Sequence, residues 1–233
     1  MAGRPRIAGT GAGPEKSHPA ARTQQRYSFK LADTPQEFGD IHRLLYRTFV
    51  LEVPRYEDPG TGSLVDKYHE RNLYFVAIRE GHVCGVTAVH DRPPFSVAAA
   101  LDEPDVLQRL GPRLLEARLL AVEPRHRFGL VFAGLACSIY GYAKSLGYRH
   151  IVISGLAGRQ RMYEQMGFRP LGPPALRGNE YFVPMAMDLS CVPPNVRRDL
   201  DRWGRRGVPA AGRRLLTERP ATASQGESCG SEG

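Results

Sequence analysis

The sequence predicts an α/β fold of the α+β kind, one mixed sheet with helices packed against it, and three observations carry that prediction. Between residues 26 and 190, strand-like and helix-period segments follow one another in the order β-α-loop-β-β-(irregular)-β-α-β-α-β-β. The runs LYFVAIR (73–79) and VCGVTAVH (83–90) are separated only by Glu80-Gly81-His82, which joins two strands by a tight turn. The run LLEARLLAV (114–122) leads through a basic, glycine-containing turn into a long apolar stretch that Gly147 closes.

Taken in order, RYSFKL (26–31) alternates enough for a short strand. Thr34 suits an N-cap, Pro35 the first helical position, and Glu37 follows the cap by three residues. Phe38, Ile41, Leu45 and Phe49 recur at helical spacing, so a helix is expected near 35–51. Residues 52–72 are too polar and too rich in Gly and Pro for either period and read as a loop. In 91–112, Pro93 and Pro94 precede an Ala-rich stretch with room for a short helix. LLEARLLAV fits both periods and is read as a strand because Pro124 closes it and a clearer helix begins at about 128. That helix, FGLVFAGLACSIYGYAKSLG, is apolar nearly all round and is expected to be well buried. HIVISG (150–155) reads as a strand, LAGRQRMYEQMG (156–167) as a short helix closed by Gly167, and FRPLG with EYFVPMAMDLS completes the sheet.

The composition, 42% hydrophobic and 24% charged, is that of a globular protein, so residues 26–190 are read as one domain. Residues 1–25 are rich in Gly, Pro, Ala and Arg and lack the apolar stretch of about 7–15 residues of a secretory signal, so they read as a disordered leader. Residues 191–233 form a basic, Arg-rich tail, read as a short basic helix followed by disorder. No apolar run approaches the roughly 18 residues that span a bilayer. Cys84, Cys137, Cys191 and Cys229 form no C-x-x-C pair, which points to a reduced, cytoplasmic setting with Cys84 and Cys137 as core residues. His42, His69, His82, His90 and His150 are scattered without metal spacing, and no metal is expected. The net charge of +8 suits nucleic acid, an anionic membrane or an acidic partner, and does not choose among them.

Chemistry concentrates between Leu114 and Gly172. A strand delivers the chain into Arg125-His126-Arg127-Phe128-Gly129 and a helix starts at once. Free backbone N–H groups and the positive helix end make an anion site, and Gly129 lets a phosphate approach the backbone. The other reading is a solvated basic turn that caps a core helix. Glu116 stands in the middle of the preceding strand, where charge is rare unless paired or used, and alternation puts Arg118 on the same face. The two are either a structural ion pair, or Glu116 is a general base with a pKa raised by partial burial.

VEPRHRFGLVFAGLACSIYGYAKSLGYRHIVISG resembles the central motif of the GNAT (Gcn5-related N-acetyltransferase) superfamily, and MYEQMGF (162–168) is similar to its later motif. The resemblance implies a GNAT-like mixed, mostly antiparallel sheet flanked by helices. It implies an N-acyltransferase whose donor is acyl-CoA (acetyl-CoA) or the phosphopantetheine of an acyl carrier protein. Carried over residue by residue, it places the donor on Leu120, Ala121, Val122, Arg125, His126, Arg127, Phe128, Gly129 and Leu130. The turn departs from the usual Q/R-x-x-G-x-G/A: His126 stands at the first place, Val131 at the last, and the turn is one residue short. The resemblance gives Tyr163 the task of protonating the departing thiolate, for which a phenol is suited; the alternative is an amphipathic core tyrosine.

A further stretch, LLYRTFVLEVPRY (44–56) followed by Asp66-Lys67-Tyr68, is similar to the N-acyl amino acid synthases and acyl-homoserine-lactone synthases within this fold. It implies substrate-binding roles for Arg47, Asp66 and Arg118 and matches Glu116 to the acidic residue of that branch. His69 stands where a second Asp would be, and Arg118 comes one place early. The function so implied is transfer of an acyl group from a thioester to the amine of a small molecule or amino acid. A long-chain N-acyl amino acid synthase fed by acyl carrier protein is the alternative, and an acidic carrier would suit the chain's positive charge. From another class comes a catalytically inactive GNAT-like protein that binds nucleic acid, motivated by the Arg-rich 197–214 with Trp203; Asp199 and Asp201 interrupt its charge, and nucleic acid is not the expected partner. Oligomeric state is left open.

Overall fold

The computed structural model describes residues 27–205 apart from Pro104 and Phe128, so the expected leader, the tail beyond Arg205 and the expected contribution of Phe128 lie outside the described residues. The elements are β1 (Ser28–Leu31), α1 (Pro35–Tyr46), β2 (Leu73–Arg79), β3 (His82–His90), α2 (Asp105–Arg109), β4 (Leu114–Val122), α3 (Leu130–Ser145), β5 (His150–Leu156), α4 (Gln160–Gln165), β6 (Arg169–Pro170), β7 (Ala175–Arg177), β8 (Glu180–Asp188) and α5 (Pro194–Arg205). The strands form one mixed sheet in the order β1-β2-β3-β4-β5-β8-β6, with β7 also on β8, and only β4–β5 is parallel among the described strands. This is the mixed, mostly antiparallel sheet with flanking helices that the sequence implied.

Local chemistry explains most of the elements. The Thr34 side chain accepts from the Glu37 N–H while Glu37 reaches back to the cap, the reciprocal box expected from the sequence. Helix α1 then loosens into a π-helical turn over Arg47–Glu52, so the expected helix near 35–51 continues with altered pitch. The 91–112 segment resolves into a 3-10 turn at Ser96–Ala100 and the short α2.

Alternation along the strands divides the core between two faces. On β2, Phe75 and Ala77 join the cluster with Leu135 of α3, while Tyr74 and Val76 join Ile41 and Leu45 of α1. The feature that positions the site is a break in the sheet. β4 pairs with β5 only over Leu114–Glu116 against His150–Val152. Beyond it the β3–β4 register shifts between Val86 and Ala88, and Leu119 takes a left-handed φ of 54°. A β-branch-free but bulky residue at positive φ costs of order a kcal/mol and marks a bulge that re-aims the strand.

Candidate active site

Where β4 and β5 part, a cavity of about 590 Å³ opens between them. Such a volume falls within the roughly 300–1,000 Å³ that encloses a small-molecule ligand. Its lining includes the part of β4 beyond its pairing with β5 (Ala117 to Leu120), Gly129 and Phe132 beside the turn, and Tyr163 of α4.

The turn expected to hold the donor borders this cavity. Gly129 is the N-cap residue of α3, with φ 145°, and no side chain caps the helix. A side chain there would meet nothing within 4 Å, so the space over the free helical amides is open. Four expected donor contacts, Leu120, Val122, Arg127 and Gly129, line the cavity. Ala121 is turned into the α1-side core and Leu130 is exposed. His126 is turned inward, its Nδ1 2.9 Å from the Tyr27 hydroxyl. The arginines of the turn already hold carboxylates: Arg125 lies 3.0 Å from Glu123, and Arg127 pairs with Glu52 and donates to the Val122 carbonyl. The turn therefore offers an anion its amides rather than unpaired guanidinium charge.

Tyr163 lies half-buried on the cavity wall. Its ring sits against Gly155, where an added Cβ would come within 2.6 Å of it, so only glycine fits. Burial pushes the phenol up from its ordinary value, and the neighbouring Leu156 backbone and Arg159 only partly offset this. The hydroxyl keeps its proton at neutral pH and is able to donate it.

The two charged residues of β4 do not pair with each other. Glu116 is fully buried and accepts from the Ser96 N–H (2.8 Å), the Ser96 hydroxyl (2.7 Å) and the Val97 N–H (2.7 Å). His90 Nε2 stands 2.8 Å away without its N–H aimed along a hydrogen-bond axis. Burial works against the charge, but the His90 and Ser96 contacts outweigh it and hold the pKa below the usual carboxylate value. Glu116 does not line the cavity; it ties the Ser96–Ala100 turn to the sheet. Arg118 does line the cavity. It grips Asp66 with both Nη atoms, Nη2 at 3.0 Å, and lies 4.8 Å from the Tyr68 ring centre. Asn72 Nδ2 (2.9 Å) and the Tyr68 N–H (3.0 Å) complete the hold on Asp66. Burial opposes ionisation of Asp66, but Arg118 and Asn72 outweigh it and lower its pKa. Arg47, expected beside these two, is instead on the outside, 3.2 Å from Glu123.

The sequence profile of the family described as N-acyl amino acid synthase FeeM matches residues 40–188, more than half of the chain. The chain belongs to this family. It is an N-acyltransferase, of the type that includes the FeeM and acyl-homoserine-lactone synthases. Among solved structures, FeeM itself, an N-acyl amino acid synthase from uncultured soil microbes, is 14% identical with a TM-score of 0.60, covering 75% of this chain and 99% of that one. BjaI, a CoA-dependent acyl-homoserine lactone synthase solved with MTA, is 19% identical with a TM-score of 0.62, covering 82% of this chain and all of its own. An acyl-CoA N-acyltransferase from Pseudomonas aeruginosa is 17% identical with a TM-score of 0.51, covering 70% of this chain and 99% of that one. At these identities the likeness is one of fold. No curated protein sequence matches the chain.

One residue of this N-acyltransferase's cavity was not singled out by the sequence. Arg55 reaches from the 52–72 loop into the cavity, its guanidinium 4.0 Å over the Phe182 ring. Burial, with Arg118 and Arg177 nearby, lowers its pKa, and among the described residues no carboxylate pairs with it. The signal available, an arginine in a Pro-rich polar loop, does not distinguish it from surface charge. Among the described residues no group of three His, Cys, Asp or Glu side chains is placed to hold a metal, and no helix is long and apolar enough to cross a membrane.

Proposed function

We propose that the enzyme transfers an acyl group from a thioester, carried by coenzyme A or by the phosphopantetheine of an acyl carrier protein, to the amine of an amino acid. The observation that carries this reading is the cavity at the parting of β4 and β5, which has free α3 amides at one end and Tyr163 on its wall. The α3 amides beside Gly129 would hold a donor phosphate, and the unpaired edge of β4 beyond Glu116 offers backbone N–H groups to the thioester oxygen. Arg55, lacking a carboxylate of its own, suits the acceptor's carboxylate, and a planar guanidinium favours that group over a neutral one.

The acceptor nitrogen attacks the thioester carbon, and the carbonyl electron pair moves onto oxygen. When the tetrahedral intermediate collapses, the C–S bond breaks, its electron pair stays on sulfur, and the sulfur takes the Tyr163 proton. The proton shed by nitrogen returns to the phenolate through water. Glu116, enclosed and kept ionised, is given no proton to carry; it and His90 hold the segment that backs β4.

Thiol release measured with acyl-pantetheine donors tests the proposal, using amino acids beside the matching amines that lack the carboxylate. Amino acids should react and their decarboxylated partners react poorly. Tyr163→Phe should lower turnover about 10²-fold or more with the fold intact. Equal rates for the two acceptor sets would overturn the amino-acid reading, and an unaltered Tyr163→Phe rate would remove the tyrosine from the mechanism.

A further inference from the structure

The cavity does not end where the chemistry described above ends. The same lining continues past Tyr163 to Met166, Phe168, Met187 and Tyr140, and is completed by Val196 and Leu200 of α5. None of these six side chains is charged, whereas the rest of the lining holds Glu52, Arg55, Arg118, Arg127 and Arg159. An apolar recess behind a thioester site suits a hydrocarbon, which gains by leaving water in proportion to the surface it buries.

The walls of this recess are not alike. Ile151, Ile153, Leu135 and Phe168 belong to the buried core and are held from several sides. Helix α5 is different. Its Pro194, Asn195, Arg197, Arg198, Asp199, Asp201 and Arg202 are exposed, and among its described side chains only Val196 and Leu200 pack against the core. These two are one helical turn apart, so they form a single apolar patch on an otherwise polar helix. That patch faces α3 and the recess.

We infer that α5 is the end wall of an acyl-chain site, and that Val196 and Leu200 set the length of chain the enzyme accepts. The inference rests on reading the cavity as a thioester site, and adds to it a specificity determinant outside the GNAT-like domain boundary drawn at residue 190. Each methylene that fits inside should raise affinity about fourfold, and the gain should stop when the chain meets α5.

Acyl-pantetheine thioesters from butanoyl to palmitoyl, titrated against the whole chain, test this directly. The parent should show affinity climbing with length to a plateau. Leu200→Ala should move the plateau to longer chains and Leu200→Trp to shorter ones, with Val196→Ala as a milder second opening variant should either fail to fold by its melting curve. A plateau that stays at the parent's length in folded variants of both kinds overturns the role of α5 and leaves the thioester site standing. A parent whose affinity is flat in chain length, while it still releases thiol, overturns the acyl recess itself and α5's role with it. Loss of all binding and all thiol release in the parent would instead defeat the function proposed above.

Discussion

Glu116 and Arg118 stand two residues apart on β4, both charged and both buried, yet the protein treats them differently. Glu116 is enclosed, and its two oxygens are met by Ser96, Val97 and His90. Arg118 is gripped on one side by Asp66 but lines the cavity, and its Nε has no partner among the described residues. The boundary between them is the end of β4–β5 pairing at Glu116 and the bulge at Leu119. Buried charge alone therefore does not mark a functional group here. What separates the enclosed brace from the cavity-lining arginine is the hydrogen-bonding capacity left over once internal partners are counted.

The largest effect expected from this contrast is at Asp66. Asp66→Ala leaves the Arg118 guanidinium buried without a counter-charge, and breaking such a pair should cost about 3–5 kcal/mol in urea unfolding. The pH dependence carries a sign. Because the folded pKa of Asp66 is lowered, its contribution is complete above the unfolded value of about 3.9 and is lost as pH falls through the folded value. The parent should thus lose stability on acidification below about pH 4, and the variant should lack that part of the loss. Equal acid slopes in the two proteins would mean that the Asp66–Arg118 contact contributes no linkage.

How far the sequence reached follows the same line. Strand β4 matched its expected span, and the Thr34–Glu37 box was visible because capping is local chemistry. The pairing of Glu116 with Arg118 suggested by alternation was not realised, since partners arrive from His90, Ser96 and Asp66, remote in sequence. Arg118, one place early against the family pattern, still reaches Asp66, and a left-handed Leu119 follows it. No local pattern announces that bulge, because its cost is met by tertiary contacts. Arg55 escaped for the same reason: its setting over Phe182 joins two segments far apart in the chain.

The second effect is at Glu116. Glu116→Gln keeps the shape but sets an NH₂ group against donors from Ser96, Val97 or His90, so stability should fall by about 1–3 kcal/mol. A brace and a base then diverge. If Glu116 is only a brace, the pH profile of turnover should match the parent's in shape. A profile that fell at neutral pH and recovered at high pH, where free amine is abundant, would restore Glu116 as the proton acceptor and break the division drawn between the two residues.

The smallest effect sharpens the other side of the contrast. The resemblance to the synthases implied one role for Arg47 and Arg118, but Arg47 has a side chain 56% exposed and meets Glu123 at 3.2 Å on the surface. A solvated pair of this kind is typically worth about 0–1 kcal/mol, because water screens it and two side chains must be ordered to form it. Glu123 also has Arg125 at 3.0 Å, so removing Arg47 does not strand a carboxylate. Arg47→Gln should therefore shift the unfolding midpoint hardly at all. It should also leave the KM for the amino acid within about threefold of the parent, less than the tenfold that corresponds to about 1.4 kcal/mol. Acceptor kinetics and melting measured side by side decide it. A tenfold rise in KM with melting unchanged would bring the rim around Glu123 into the acceptor site, and leftover hydrogen-bonding capacity would no longer suffice to find the residues that bind.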